Sequence, residues 1–135
     1  MDDRILDAAI KYQEMGLSVI PIASTGRHIK KPLVKWEAFQ TEKPGSKQIQ
    51  KWFGRQFPSA IIGLVTGVNS GLCVVDIDSD EALSTFDSIA PNLPPTPVAK
   101  SPRGGKHFYF KYRDGLGTKA NVLEKIDIRT DGGYI

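Results

Sequence analysis

The stretch GLCVVDIDSDEA, residues 71–82, joins a hydrophobic run (Leu72, Cys73, Val74, Val75) directly to Asp76, Asp78 and Asp80. The run is apolar and partly β-branched, so it reads as a buried strand whose end carries carboxylates. On a strand, Asp76 and Asp78 leave the same face, about 6–7 Å apart. Like charges at the end of a buried strand repel one another and cost desolvation. Something cationic is expected to offset that. Two carboxylates so placed supply the hard oxygen ligands that Mg²⁺ and Mn²⁺ prefer. The plainer reading is a solvated strand end turning into a helix capped by Asp80, and a bare Asp-x-Asp does not choose between the two.

Downstream, DEALSTFDSI (80–89) reads as a short helix closed by the proline-rich PNLPPTP (91–97). PVAK (97–100) and KHFYFKYR (106–113) read as strands flanking a tight turn, SPRGG (101–105). Gly104 and Gly105 let the backbone approach a ligand and leave N–H groups able to form an anion-binding concavity. Arg103, Lys106 and His107 set cationic or donor groups beside it. The alternative is a hairpin turn followed by a structurally satisfied histidine. In EKIDIRTDGGYI (124–135), a last alternating strand, Asp127 faces opposite to Ile126 and Ile128 and shares its face with Arg129. That pair is either a same-face ion pair or a third metal carboxylate beside a phosphate-binding guanidinium.

Upstream, AIIGLVTG (60–67) is a strand that the spacing pairs with 71–78 as a hairpin across Val68-Asn69-Ser70. Residues 3–15 read as a helix with Leu6, Ala9, Ile10 and Gln13 on one face. Asp2 and Asp3 suit its N-terminal dipole, and Gly16 ends it. LSVIPI (17–22) is a short strand in which Pro21 implies an edge. A basic loop follows over 23–39, with Lys30, Lys31 and Lys35 around Pro32 and Trp36. Ser46 is expected to cap a second helix over 47–57, striped by Ile49, Trp52 and Phe53.

The 135 residues suit one domain, here 1–135, and the sequence ends in strand-forming residues, as if cut from a longer protein. A net charge of +3 permits a phosphate or nucleic-acid partner without demanding one. One cysteine excludes an internal disulfide and a multi-cysteine zinc cluster, and fits a reducing cytoplasm. There is no signal-peptide core and no apolar run near the roughly 20 residues of a membrane helix, so no membrane partner is expected.

Together these segments resemble the catalytic domain of the bifunctional primase-polymerases, members of the archaeo-eukaryotic primase superfamily carried by plasmids, phages and integrated elements. The resemblance rests on YQEMGLSVIPI, the KKP…W loop, GLVTG…SGLCVVDIDS, PPTPVAKSPRGGKHFYF and IDIRTDGGYI. The superfamily's acidic-x-acidic, small-x-His and hydrophobic-Asp motifs match Asp76-Ile77-Asp78, Gly105-Lys106-His107 and Ile126-Asp127. Relatives often carry Ser where Gly105 stands, so a backbone contact is implied there instead of a hydroxyl.

What the resemblance implies is an α/β (α+β) primase-type core: an RRM-like unit whose antiparallel or mixed sheet is flanked by helices. It implies template-directed nucleotidyl transfer, for primer synthesis or DNA polymerisation, by a two-metal mechanism with Mg²⁺ or Mn²⁺. Asp76, Asp78 and Asp127 would be the metal ligands. His107, Arg103, Gly104 and Gly105 would hold the triphosphate, and Arg129 and Lys31 are further phosphate contacts. Nucleoside triphosphates, single-stranded template and primer would be the partners, with a helicase domain elsewhere in the full-length protein. A non-catalytic nucleotide- or nucleic-acid-binding module, or a metal-dependent nuclease, are the alternatives.

Overall fold

The computed structural model describes residues 4–27, 29–91, 96–100 and 105–135. It has the expected mixed α/β class, and both of its sheets are antiparallel. Helix α1 (Arg4–Glu14) leads to strand β1 (Ser18–Ile22), a 3-10 turn at Glu37–Gln40, and α2 (Ser46–Lys51), which runs on as a π-helical turn over Trp52–Gln56. Then come β2 (Ile61–Val65), β3 (Leu72–Ile77), α3 (Asp80–Ile89), β4 (Val98–Lys100), β5 (Lys106–Lys111), β6 (Lys119–Leu123) and β7 (Ile126–Arg129). Strands β1 and β2 form one small sheet, and the other runs in the order β4-β5-β3-β7-β6. No helix among the described residues is long and apolar enough to cross a membrane.

Helix α1 ends where Gly16 takes φ +91°. There the Gly16 and Leu17 N–H groups donate back to the Gln13 and Tyr12 carbonyls, a Schellman closure. The buried Ala9 meets Val19, Ile49, Trp52, Phe53 and Leu64 in one core cluster, with Leu6 and Ile10 packed against it. Pro21 is accommodated because its carbonyl accepts from Leu33 N–H, on the side of β1 away from β2. Its missing donor therefore falls outside the β1–β2 ladder.

Two local expectations are corrected. Ser46 does not cap α2: Gly45 holds the N-cap position, and the Ser46 hydroxyl instead donates to Gln13 Oε1 at 3.3 Å. The helix beginning after the strand of acidic residues is capped by Ser79, not Asp80, with Ser79 Oγ accepting from Ala82 N–H at 3.0 Å.

The 60–67/71–78 hairpin does not form either. Strand β2 pairs with β1, while β3 has β5 on one edge and β7 on the other, so no edge of β3 is left for β2. A single bridge, Gly67↔Leu72, joins the two segments. The strand expected across 124–135 is also split. It breaks after Arg129, and the chain then crosses to the small sheet, where Ile135 and Leu64 exchange backbone hydrogen bonds of 2.8 and 2.9 Å. Thr130 sits at the crossing, fully buried with its polar groups paired. Its N–H donates to Thr118 Oγ1 (2.8 Å), its carbonyl accepts from Thr66 Oγ1 (2.7 Å), and its hydroxyl lies 3.3 Å from Cys73 Sγ.

Close backbone approach explains two glycines. A Cβ on Gly67 would lie 2.8 Å from Asp131 Cα, at a φ of +103°. The Asp131 side chain meanwhile accepts from Val68 N–H (3.0 Å) and from the Tyr112 hydroxyl (2.5 Å), and this bond pushes the exposed Tyr112 phenol up to about 12. In β2, a Cβ on Gly63 would lie 2.5 Å from Ile22 Cγ1 and 2.7 Å from its Cδ1. Ile22 is buried, so it has little room to yield. Gly63→Ala should therefore destabilise the protein by about 1–3 kcal/mol, the usual cost of overpacking. Urea unfolding measures this, and an unchanged midpoint would show that the sheet relaxes freely.

Candidate metal centre

Strand β3 lies at the middle of the larger sheet, and its register there sets the site. Asp76 pairs with His107 on β5 and with Asp127 on β7, so one rung across three strands reads His107, Asp76, Asp127. Residues opposite one another in a sheet share a face. The other face is occupied by Ile77, Ile126, Val75 and Phe108, which pack with Ala82, Leu83 and Phe86 of α3. That burial fixes which way the acidic residues point. Asp78 follows one pleat beyond Asp76, just past the end of β3, and the Ser79 cap turns the chain into α3 immediately afterwards.

One carboxylate oxygen from each of Asp76, Asp78 and Asp127 lies within 4.8 Å of the others. Their environments differ. The Asp76 side chain is 13% exposed, and its Oδ1 is buried without a hydrogen-bond donor. His107 Nε2 approaches that oxygen to 3.2 Å but is not aligned to bond it. Asp127 is held at both oxygens: Oδ2 accepts from Arg129 Nη2 at 3.2 Å and Oδ1 from the Asn121 backbone N–H at 2.6 Å. Asp78 is the exposed member, anchored through its N–H to the Lys125 carbonyl at 3.0 Å. Burial, then the charges of Asp76 and Asp127, push its carboxyl above the usual value of 3.8, while Lys30 and His107 pull it down.

At such separations two unit charges repel by roughly 3 kcal/mol at an effective dielectric near 20. Three carboxylates give three such pairs, against one guanidinium bonded to Asp127 and a histidine beside Asp76. An Asp76 carboxylate with a buried oxygen left unbonded, in a cluster of three carboxylates, is the feature that fits a divalent cation.

A family model for the N-terminal domain of bifunctional DNA primase/polymerases (Prim-Pol) matches residues 9–135. The chain belongs to this family. The match takes in the whole of the rung and everything from the middle of α1 onward. Comparison with curated proteins gave no match. Prim-Pol membership makes this a nucleotidyltransferase-type domain acting in DNA priming or polymerisation, with nucleotide and DNA substrates, in a family that is typically metal-dependent.

The remaining sequence-predicted residues are distributed unevenly around the carboxylate cluster. Gly105 is buried at the entrance to β5. Arg103 and Gly104 lie outside the described residues. Arg129 is committed to Asp127, although its Nε is buried without a hydrogen-bond partner. Lys31 is exposed, and its carbonyl accepts from Ala23 N–H. Its neighbour Lys30, noted in the sequence as part of the basic loop but not as a site residue, acts on Asp78. Lys30 has φ +69°, its N–H donates to the Ala23 carbonyl (2.8 Å), and its own carbonyl accepts from the Tyr134 hydroxyl (3.0 Å). Sequence reasoning also missed β6 and the turn after it, which supply the Asn121 and Lys125 contacts. Every residue of β6 is exposed, so no apolar alternation marks it. The only available signal was Asn121, a residue type that tolerates left-handed backbone.

The raised Asp78 carboxyl has a measurable consequence in metal-free buffer. A carboxyl whose folded value exceeds its unfolded value contributes most below pH 3.8, and that contribution is lost as pH rises through the folded value. Near neutral pH, Asp78→Asn should therefore melt above the parent protein, and the gap should close as pH falls below 3.8. Thermal melts across pH in EDTA test this; a lower melting temperature at neutral pH would give Asp78 a structural role instead.

Proposed function

We propose that this domain catalyses template-directed nucleotidyl transfer, in which a primer or initiating-nucleotide 3′-hydroxyl attacks the α-phosphorus of a nucleoside triphosphate and pyrophosphate leaves. The observation that carries this reading is the Asp76 carboxylate, which keeps its buried Oδ1 without a hydrogen-bond donor and has an oxygen within 4.8 Å of oxygens of Asp78 and Asp127. Asp76, Asp78 and Asp127 would hold Mg²⁺ or Mn²⁺. Bound there, divalent cations supply Lewis acidity for the attacking hydroxyl and charge neutralisation for the leaving pyrophosphate.

The protein's own groups do the rest. Asp76 and Asp127, on adjacent strands of one sheet, present their oxygens from a rigid support. Arg129 and the Asn121 N–H restrain the Asp127 carboxylate, so that few rotamers remain for it to lose on ligation. His107, next to Asp76 in the rung, is placed to donate to a phosphate oxygen at the edge of the carboxylate cluster. Arg103, with Gly104 and Gly105, would line the triphosphate tail, and Lys31 and Arg129 are the further phosphate contacts of this reading. The basic loop around Lys30 and Lys31 would meet template backbone without reading sequence.

In the wider setting, residues 1–135 form one catalytic domain that works in the cytoplasm on the replication of a plasmid, phage or integrated element, alongside a helicase domain.

Incorporation of labelled nucleotide on a primed single-stranded template, with Mn²⁺, tests the proposal. Asp76→Asn should abolish incorporation while leaving the fold intact by circular dichroism. Cleavage of the template by the parent protein without incorporation would make it a nuclease, and undiminished DNA binding in EDTA without either activity would make it a binding module. His107→Ala should weaken triphosphate affinity about ten- to hundredfold, the worth of one charge-assisted hydrogen bond. Fluorescent-nucleotide titration reads this; unchanged affinity with a lowered melting temperature would return His107 to a packing role.

A further inference from the structure

Strand β6 and the turn that follows it contain two residues with left-handed backbone, Asn121 (φ +55°) in the strand and Lys125 (φ +64°) in the turn. Along β6 the ladder steps from Lys119↔Ile128 to Leu123↔Ile126, so β6 carries two more residues than β7 over the same span. Asn121 lies within this bulge. A bulge leaves a backbone group out of the ladder, and here the Asn121 N–H turns to Asp127 Oδ1 at 2.6 Å. The Asn121 side chain closes the turn, its Oδ1 accepting from Lys125 N–H at 3.1 Å. The far end of the same turn reaches the second carboxylate strand, where the Lys125 carbonyl accepts from Asp78 N–H at 3.0 Å. One residue therefore braces two of the three carboxylates, while its own side chain touches neither.

We propose that Asn121 is a positioning residue for the metal centre: its left-handed, bulged backbone aims Asp127, and its side-chain clamp on Lys125 holds the turn that anchors Asp78. This rests on the metal-binding reading of the carboxylate cluster. The choice of residue follows from the geometry. Asparagine is among the few side chains that enter left-handed backbone readily, and it alone of the residues in β6 carries a short amide oxygen able to meet Lys125 N–H. Glycine would keep the backbone and lose the clamp. Alanine would lose the clamp and strain the backbone, and a β-branched residue would strain it further.

Mn²⁺ binding to the whole chain, followed by the electron paramagnetic resonance signal of free Mn²⁺ well below the melting temperature, tests this without reference to catalysis. Loss of a partner that orients a metal ligand typically weakens metal binding about 10–100-fold. Asn121→Val and Asn121→Ala should each raise the Mn²⁺ Kd by about tenfold or more. Asn121→Gly should recover most of that loss, because it restores the N–H to Asp127. A purely structural role would lower the melting temperatures of all three variants and leave the Kd of the folded protein at the parent value. If Asn121→Val does not fold, the Ala and Gly pair still decides the matter. Asp127→Asn is the control. If it abolishes Mn²⁺ binding while Asn121→Ala binds as the parent does, the positioning role is overturned. If Asp127→Asn binds Mn²⁺ as tightly as the parent, the metal reading itself falls, and the positioning role with it.

Discussion

The pairing register of β3 with β5 and β7 is the constraint on which the site depends. Side chains alternate across a sheet, so a slip of β7 by one residue would bury the Asp127 carboxylate against Ile77 and Phe108 on the α3 face and turn Ile126 out of it. The apolar contacts on that face hold the register, and the register sets His107, Asp76 and Asp127 side by side on the other. Hydrophobic packing on one side of the sheet thus determines the electrostatics of the opposite side.

That electrostatic arrangement works against the folded state unless a cation joins it. Asp76 keeps an oxygen buried and unbonded, and the Asp78 carboxyl is pushed above its ordinary value by burial and by its two carboxylate neighbours. The polar groups of Thr130 show the contrasting solution. Thr130 is fully buried, yet its N–H, carbonyl and hydroxyl all have partners within the chain. The buried polar groups of Thr130 are satisfied locally; the atoms left open, Asp76 Oδ1 and Arg129 Nε, belong to the carboxylate cluster and to the guanidinium beside it.

The segment from Thr130 to Ile135 ties the two sheets together. It hydrogen-bonds Leu64 and Thr66 on one side of the crossing and leaves β7 on the other. The Tyr134 hydroxyl also reaches the Lys30 carbonyl, and the Tyr134 ring packs edge-on against Trp36 at 5.1 Å. The basic loop and the acidic sheet are in this way fastened to one another by the residues that follow Arg129, which explains how a lysine in the loop between β1 and α2 comes to act on Asp78.

Several features were legible in the sequence because they depend on short-range alternation and on residue chemistry. The strand at 72–77, the shared face of Asp76 and Asp78, the opposite facing of Asp127 and Ile126, the Ile49-Trp52-Phe53 stripe and the Gly16 stop all follow from periodicity or from the allowed backbone of one residue. The family resemblance added the grouping of three motifs that no single spacing could join. Partner choice was not legible. The 60–67 segment read as the hairpin partner of 71–78, since a short turn between two apolar runs satisfies local rules. The competition was decided by β5 and β7 filling both edges of β3. β6 escaped notice because an exposed edge strand needs no apolar face, and with it went the Asn121 bulge that restrains Asp127. Residue types and their periodicity determined which groups could meet. The meeting itself was decided by long-range strand pairing, because the energy that selects a partner comes from burying faces whose complements lie dozens of residues away.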